Sequence, residues 1–230
     1  MRARPPVARD RLAGGRRRLW GWWLALAGTL VCCGALLSAF AAATHEAAPA
    51  EADPDPGDER VAEIVRLVSA GTQLPEGLAF TQRVSARAFL LRWEFVSRLR
   101  FEEGRLHVAT EGAPAFMPET LPKDLVELGR TLSLFDLQLV REDDGTGLAL
   151  LSGPLRDYGG QGAREGSFWV DLERGVVQKA EAVYSWGTLS VEQEYGLIEG
   201  HLLLLRQSAR MYPFGATLEV RYVDYSLPPT

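Results

Sequence analysis

The side chains that could perform chemistry in this chain of 230 residues are few and widely spaced. Its three histidines, His45, His107 and His201, stand far apart in the sequence. A metal site needs clustered histidine, cysteine or carboxylate ligands, so this spacing predicts no metal ion.

Two short acidic and hydroxyl motifs also invite a catalytic interpretation. Asp143 and Asp144 lie in EDDGTG, a composition that a turn explains better than a carboxylate pair or a phosphate loop. Ser152 lies in LLSGP, which lacks the leading glycine of a nucleophile elbow. Because no glycine loop with a lysine follows a strand either, we expect a protein that is not an enzyme and needs no cofactor.

The N-terminal segment is a predicted export signal or membrane anchor. An uncharged stretch, residues 19–43, follows the arginines at positions 16–18 and contains both cysteines, Cys32 and Cys33. Small residues near Ala41 fit a cleavage site, whereas the length of the stretch is sufficient to span a bilayer. Both readings predict export to the periplasm or cell envelope, and the exported part then has no cysteine and no disulfide.

Charge is distributed unevenly along the chain, whose formal net charge is −5. The first 41 residues hold seven arginines and one acid, which leaves 18 basic and 29 acidic side chains beyond them. A strongly acidic domain repels a phosphate backbone, so we expect no nucleic-acid partner. Residues 44–57, rich in Ala, Pro, Asp and Glu, indicate a linker, and residues 58–230 the domain.

Hydrophobic periodicity predicts two helices. Val61, Ile64, Val65 and Val68 follow helical spacing, with Asp58 as a plausible N-cap and Gly71 at the end. A second helix is predicted at TLPKDLVELGR, residues 120–130, whose leucines at 121, 125 and 128 form one face.

The rest of the domain alternates with period two and has turns about every ten residues, a spacing typical of an all-β sandwich or barrel. About nine or ten antiparallel strands are predicted, and so large a sheet must curl. In VVQKAEAVY, Lys179 and Glu181 are predicted on the wet face, opposite Val176, Gln178, Ala180, Ala182 and Tyr184. The fold class is therefore mainly β (α+β), a curled antiparallel sheet forming a half-open barrel with two helices on its concave side.

Two short helices cannot fill the inside of such a sheet, so its apolar face is the candidate site. The interpretation as an ordinary core stays open beside that of a ligand groove. Phe116 and Met117, just before the second predicted helix, could form an apolar lid or hold that helix in place. The candidate ligand-binding residues are Leu91, Trp93, Phe95, Leu99, Phe101, Phe116, Met117, Phe135 and Leu137.

The order of short motifs resembles the LolA-like periplasmic lipoprotein carriers and outer-membrane lipoprotein-sorting proteins. After the first helix come GLAFTQRV and LRWEF, similar to the F-x-Q and R-W-E strands of that family. Further along, FWVDLERGVVQKAEAV, EYGLIEGHLLL and LEVRYVDYSL resemble its later strands. The segment EEGRLHVAT departs from the family, because it has no aromatic residue after the turn.

This resemblance implies a half-open barrel that holds acyl chains between sheet and helices. We therefore expect a monomeric, non-catalytic envelope carrier or chaperone for a lipid or lipoprotein. The alternative is a membrane-tethered periplasmic sensor or interaction domain with a membrane-protein partner, since related domains restrain anti-sigma factors.

Overall fold

A computed structural model describes residues 56–114, 121–143, 145–156 and 163–228. The predicted signal or anchor, together with Phe116, Met117 and Asp144, lies outside these residues. The first helix begins at Pro56, two residues before the predicted start of the domain at residue 58.

Ten strands, two α-helices and one 3₁₀ helix make up the described chain. In chain order they are α1 (Pro56–Gly71), β1 (Ala79–Ala88), β2 (Leu91–Glu102), β3 (Arg105–Glu111), α2 (Leu121–Val126), the 3₁₀ helix (Leu128–Leu134), β4 (Gln138–Asp143), β5 (Leu148–Pro154), β6 (Glu165–Asp171), β7 (Val176–Tyr184), β8 (Gly187–Ile198), β9 (His201–Tyr212) and β10 (Ala216–Ser226).

The strands form one antiparallel sheet in the order β3-β2-β1-β10-β9-β8-β7-β6-β5-β4. Strands β3 and β4 form its two edges and do not pair with each other, so the sheet is not closed. This arrangement confirms the predicted mainly-β, half-open barrel. We call the side on which the helices lie the inner face and the opposite side the outer face.

Helix α1 packs on the inner face through its apolar stripe, in which Val61, Ile64 and Val68 are buried as predicted. Asp58 lies in the first turn of the helix and is not its cap, because the helix starts two residues earlier. Arg60 binds Glu142 of the edge strand β4 through both carboxylate oxygens. This hydrogen bond holds the pKa of Glu142 below its ordinary value.

The end of α1 lies directly against the β6–β7 turn. A Cβ atom on Gly71 would stand 2.3 Å from the carbonyl oxygen of Gly175, and one on Gly175 would stand 2.8 Å from that of Leu67. The approach of the two backbones therefore requires glycine at both positions.

The second predicted helix is broken into α2 and the 3₁₀ helix, although its three leucines are buried as expected. Thr131 and Ser133 donate side-chain hydrogen bonds to the carbonyls of Leu128 and Arg130, three residues back. Local bonds of this kind compete with a regular α-helix, which is consistent with the tighter winding after Val126.

The predicted faces of β7 are correct in the middle of the strand and wrong at its start. The register against β6 shifts, so that Trp169 pairs with Lys179 but Val170 pairs with Val177. A β-bulge at Gln178 accounts for the shift and moves Val177, in place of Gln178, onto the inner face with Ala180. Lys179 and Glu181 lie on the outer face as predicted and form an ion pair at 2.9 Å.

Candidate functional site

The predicted ligand-binding residues that the structure describes lie on the inner face, with different degrees of exposure. Phe95, Leu99, Phe135 and Leu137 are buried, and Trp93 and Phe101 are partly buried. Leu91 is 39% exposed, because it is the first residue after the β1–β2 turn.

Two apolar clusters divide the inner face. The first cluster lies beneath α1 and the 3₁₀ helix and contains Phe135 and Leu137, with Trp93 packed against it. The second cluster lies beneath α2 and contains Phe95 and Leu99, with Phe101 packed against it. The predicted stripe along β2 therefore supplies side chains to both clusters.

A row of polar side chains, which we call the polar belt, crosses six neighbouring strands of this apolar face. Directly paired residues form most of it: Thr110 with Ser97, Ser97 with Gln82, Gln82 with Tyr222, and Gln207 with Gln193. The hydroxyl of Tyr222 completes the row by donating to Gln207 Oε1 at 3.2 Å. On β8 and β9 the belt separates the first cluster from the second.

Two amides of the polar belt attach α2 to the sheet. Gln82 Nε2 donates to the carbonyl oxygen of Pro122 at 2.9 Å, and Gln207 Nε2 donates to that of Leu125 at 3.3 Å. Both glutamines are buried, so these bonds satisfy backbone acceptors that water does not reach. The glutamine of the sequence AFTQRV thus has a structural role, which is to fix the short helix above the sheet.

Two further tyrosines, Tyr195 and Tyr225, lie near Tyr222 of the polar belt. Tyr195 donates to Gln193 Oε1 at 3.2 Å, and the Tyr225 hydroxyl donates to the carbonyl oxygen of Leu204. Burial raises the pKa of the Tyr195, Tyr222 and Tyr225 phenols above the ordinary value of 10.0. These phenols are therefore neutral hydrogen-bond donors at physiological pH.

A cavity of about 230 Å³ opens where β7 and β8 stop pairing. The pairs between them run from Tyr184–Gly187 to Lys179–Glu192, after which β8 continues beside β9. The cavity is lined by Arg174, Val176, Gln178, Gln193, Glu194 and Tyr195. Gln193 Nε2 is buried and has no hydrogen-bond partner among the described residues.

The outer face is charged, unlike the inner face. A shallow depression of about 450 Å³ is lined in part by Glu192, Arg206, Arg210 and Glu219. Arg206 and Glu219 form an ion pair at 3.0 Å. Walls of this kind do not suit an apolar ligand, so the inner face remains the candidate site.

The residues considered for catalysis or metal binding have other roles or stand apart. His107 and His201 are exposed, and no group of three potential metal ligands occurs within the described residues. Asp143 accepts a hydrogen bond from the backbone N–H of Gly145 at 3.1 Å, which confirms the predicted turn. Ser152 shares a hydrogen bond with Ser167 across β5 and β6 at 2.9 Å.

Sequence reasoning did not assign a role to the glutamines of the belt. A signal for them exists: Gln82, Gln193 and Gln207 each occupy an inward position of a strand whose other inward residues are mostly apolar. A polar residue at such a position must find a partner in the fold, and two of the three bind the backbone of α2.

The architecture is that of an open antiparallel half-barrel with helices across its inner face. Neither a family model nor a curated protein sequence matches the chain. Within the described residues, no helix combines the length and apolar character needed to cross a membrane.

Solved structures identify the fold as LolA-like. A DUF1329 family protein from Desulfovibrio piger superposes with a TM-score of 0.56 at 10% identity, covering 75% of this chain and 93% of that one. A putative outer membrane lipoprotein-sorting protein domain from Vibrio parahaemolyticus gives 0.54 at 12% identity, with 73% and 92% covered. A LolA superfamily protein from Nitrosomonas europaea gives 0.51 at 12% identity, with 74% and 94% covered.

Proposed function

We propose that the protein is a non-catalytic carrier or chaperone of the cell envelope that holds acyl chains of a lipid or lipoprotein. The observation that carries this proposal is the cover of the second cluster. A six-residue helix, α2, covers this part of the apolar face, and Gln82 and Gln207 attach it by two amide hydrogen bonds. A helix of this length is not stable on its own, so its position depends on these contacts.

An acyl chain could occupy the space that α2 covers when these two bonds open. Burial of a chain contributes about 0.8 kcal/mol per methylene, so part of one chain suffices to offset the loss of two hydrogen bonds at about 1 kcal/mol each. The ligand-binding residues would be Phe95, Leu99 and Phe101, with Trp93 at the border of the first cluster. The likeness of the fold to a lipoprotein-sorting domain supports this proposal.

The side chains of Gln193, whose Nε2 has no partner among the described residues, and of Arg174 line the opening between β7 and β8 together with Glu194. Groups that donate hydrogen bonds suit the oxygen atoms of an ester or a carboxylate. We place the polar end of the ligand there and its chain along the inner face.

Photo-crosslinking to the full chain tests this assignment. A long-chain fatty acid that carries a diazirine is added, irradiated, and located by peptide mapping. We expect crosslinks within Leu91–Glu102 and His201–Tyr212, and their loss when an ordinary fatty acid competes. Labelling confined to residues 19–43, or to exposed positions of the outer face, would exclude the groove.

A second candidate, a membrane-tethered sensor or interaction domain, is favoured by the burial of Phe95 and Leu99 beneath α2. N-terminal sequencing of the exported protein distinguishes the two. A chain that begins near Ala42 or Thr44 supports a diffusing carrier, and one that retains residues 19–43 supports a tethered domain.

A further inference from the structure

One end of the half-barrel carries exposed apolar side chains on three adjacent turns. These turns connect β1 to β2, β9 to β10 and β7 to β8, which are neighbours in the sheet. We call the apolar side chains of these turns the apolar rim: Phe89, Leu90, Leu91, Tyr212 and Phe214 are exposed, and Trp186 is partly buried. Trp186 and Phe214 contact each other across two of the turns, with ring centroids 5.8 Å apart.

The β1–β2 turn is the most exposed part of the rim. Ala88 pairs with Leu91, so Phe89 and Leu90 form a two-residue hairpin loop. Leu90 is fully exposed and Phe89 is 58% exposed. Exposed large apolar side chains at a loop tip lose water contacts only if another phase or partner covers them.

The backbone of this turn makes the choice of residues more unusual. Phe89 has a φ of +54°, a region that bulky residues rarely adopt and that glycine adopts without cost. The two-residue loops of the opposite end, Glu103–Gly104 and Glu199–Gly200, also begin with a residue of positive φ, but that residue is a polar glutamate and the second residue is glycine. Phe89 and Leu90 thus replace residues that would form the turn more easily.

Three arginines lie on the outer face directly behind the rim. Arg92 pairs with Arg87, Arg87 with Thr217, and Thr217 with Arg210, which places the three cations in one row across four strands. All three arginines are exposed. Arg92 forms an ion pair with Glu94, whereas Arg87 and Arg210 form none within the described residues. The row therefore keeps a net positive charge, although the domain is acidic as a whole.

We propose that the apolar rim inserts into the surface of a lipid bilayer and that Arg87, Arg92 and Arg210 bind the phosphates of its anionic headgroups. Tryptophan and tyrosine favour the membrane interface, while leucine and phenylalanine enter the hydrocarbon boundary. Arginines next to such a surface add attraction that is specific to anionic lipids and decreases with salt. An apolar rim with a row of arginines behind it fits the surface of an anionic membrane better than it fits an apolar protein surface.

Spin-label depth measurements on the full chain test the proposal. Cys32 and Cys33 are replaced by serine, and one cysteine is introduced by Leu90→Cys or, as the matched control, by Leu197→Cys. Leu197 is 75% exposed and lies near the opposite end of the half-barrel, beside the β8–β9 turn. The labelled protein is reconstituted with vesicles of phosphatidylcholine and phosphatidylglycerol.

We expect the label at position 90 to be accessible to oxygen dissolved in the lipid and shielded from a water-soluble nickel chelate. The label at position 197 should show the opposite. Equal exposure to water at both positions would overturn the proposal, as would shielding at position 90 that persists without vesicles and accompanies a dimer in solution.

Arginine variants examine the electrostatic part separately. In the Leu90→Cys background, Arg87→Ser/Arg210→Ser should reduce the ratio of inserted to free label about tenfold or more on phosphatidylglycerol vesicles, because each arginine near the surface contributes attraction. The control Arg83→Ser/Arg221→Ser changes the net charge equally on the same face but farther from the rim. An equal effect of both pairs would contradict binding by the arginine row.

This proposal does not depend on acyl-chain binding by the inner face. A protein that crosslinks to a fatty acid but leaves position 90 in water would keep the carrier function and lose the docking site. A protein that inserts position 90 into the bilayer but does not crosslink to a fatty acid would keep the docking site and lose the carrier function.

Discussion

Gln82 on β1 donates a hydrogen bond from its side-chain amide to the carbonyl oxygen of Pro122 in α2, at 2.9 Å and 40 residues away in the chain. Gln207 on β9 makes the equivalent contact with Leu125, at 3.3 Å. The cover of the second cluster is therefore fixed at two points by side chains of the sheet. This relationship connects the polar belt to the accessibility of the candidate ligand site.

Removing one of these contacts should loosen α2. We expect Gln82→Ala to lower the free energy of unfolding by about 1–3 kcal/mol, because the Pro122 carbonyl is left buried without its donor. Urea denaturation measures the loss. Gln138→Ala on the edge strand β4 is the control, since Gln138 is exposed and should change stability little. Equal stability of the two variants would contradict the fixing role of Gln82.

The buried phenols predict a loss of stability at alkaline pH. Burial raises the pKa of Tyr184, Tyr195, Tyr222 and Tyr225 in the folded state. Above the ordinary value of about 10, the unfolded chain therefore binds fewer protons than the folded one, and the free energy of unfolding falls as pH rises. Below that value these groups contribute no pH dependence.

Urea denaturation at pH 8 and at a pH above 10 measures this effect. Tyr222→Phe should make the stability less dependent on pH in that window, because it removes one of the buried phenols. A pH dependence that is the same in Tyr222→Phe as in the parent chain would show that this phenol is not the cause.

The overall fold could be predicted because alternation and turn spacing are properties of short stretches. Strand β2 shows this clearly: Phe95 and Leu99 are buried, while Arg98 between them is exposed. The bulge in β7 could not be predicted in the same way. The local pattern around residues 176–178 fits an inward-pointing Val177 as well as an inward-pointing Gln178. The pairing with β6 decides between the two.

The candidate site could be predicted as a face but not as an arrangement. Periodicity assigns Trp93 and Phe95 to the same side of β2. Trp93 nevertheless packs against the first cluster and Phe95 belongs to the second, because the helices that cover these clusters come from other parts of the chain. The role of Gln82 likewise depends on the carbonyl of Pro122, which no pattern around Gln82 contains. Long-range contacts of this kind are invisible to local periodicity.

Trp93 and Phe95 should respond differently to truncation. We expect Phe95→Ala, in the second cluster, to cost about 3–5 kcal/mol. Trp93→Ala should cost less than its size implies, because the side chain of Trp93 is only partly buried in the folded state. If Trp93 lines the groove, its variant should lose affinity for the diazirine fatty acid by more than its loss of stability accounts for.

Crosslinking yield and urea denaturation, measured on the same preparation of each variant, separate the two effects. Val96→Ala is the control on the same strand, since Val96 points to the outer face. A Trp93→Ala protein that is destabilised but still crosslinks as well as the parent chain would exclude Trp93 from the groove.

The β1–β2 turn offers a prediction about stability that is independent of membranes. Phe89 adopts a left-handed φ of +54° and Leu90 is fully exposed, so the native turn stores conformational strain without burying either side chain well. Phe89→Gly/Leu90→Asn supplies the residues that such a loop prefers. We expect the variant to be at least as stable as the parent chain, with a gain of up to about 1 kcal/mol. A comparison variant is Gly104→Leu in the β2–β3 turn, where φ is +71° and an added Cβ meets no atom within 4 Å. Gly104 is the second residue of its loop and Phe89 the first residue of its own, so destabilisation by Gly104→Leu shows what a left-handed φ costs a large side chain in a two-residue loop of this sheet. A loss of more than about 1 kcal/mol in the Phe89→Gly/Leu90→Asn chain, measured by urea denaturation, would mean that these two side chains stabilise the fold and are not retained for an external surface.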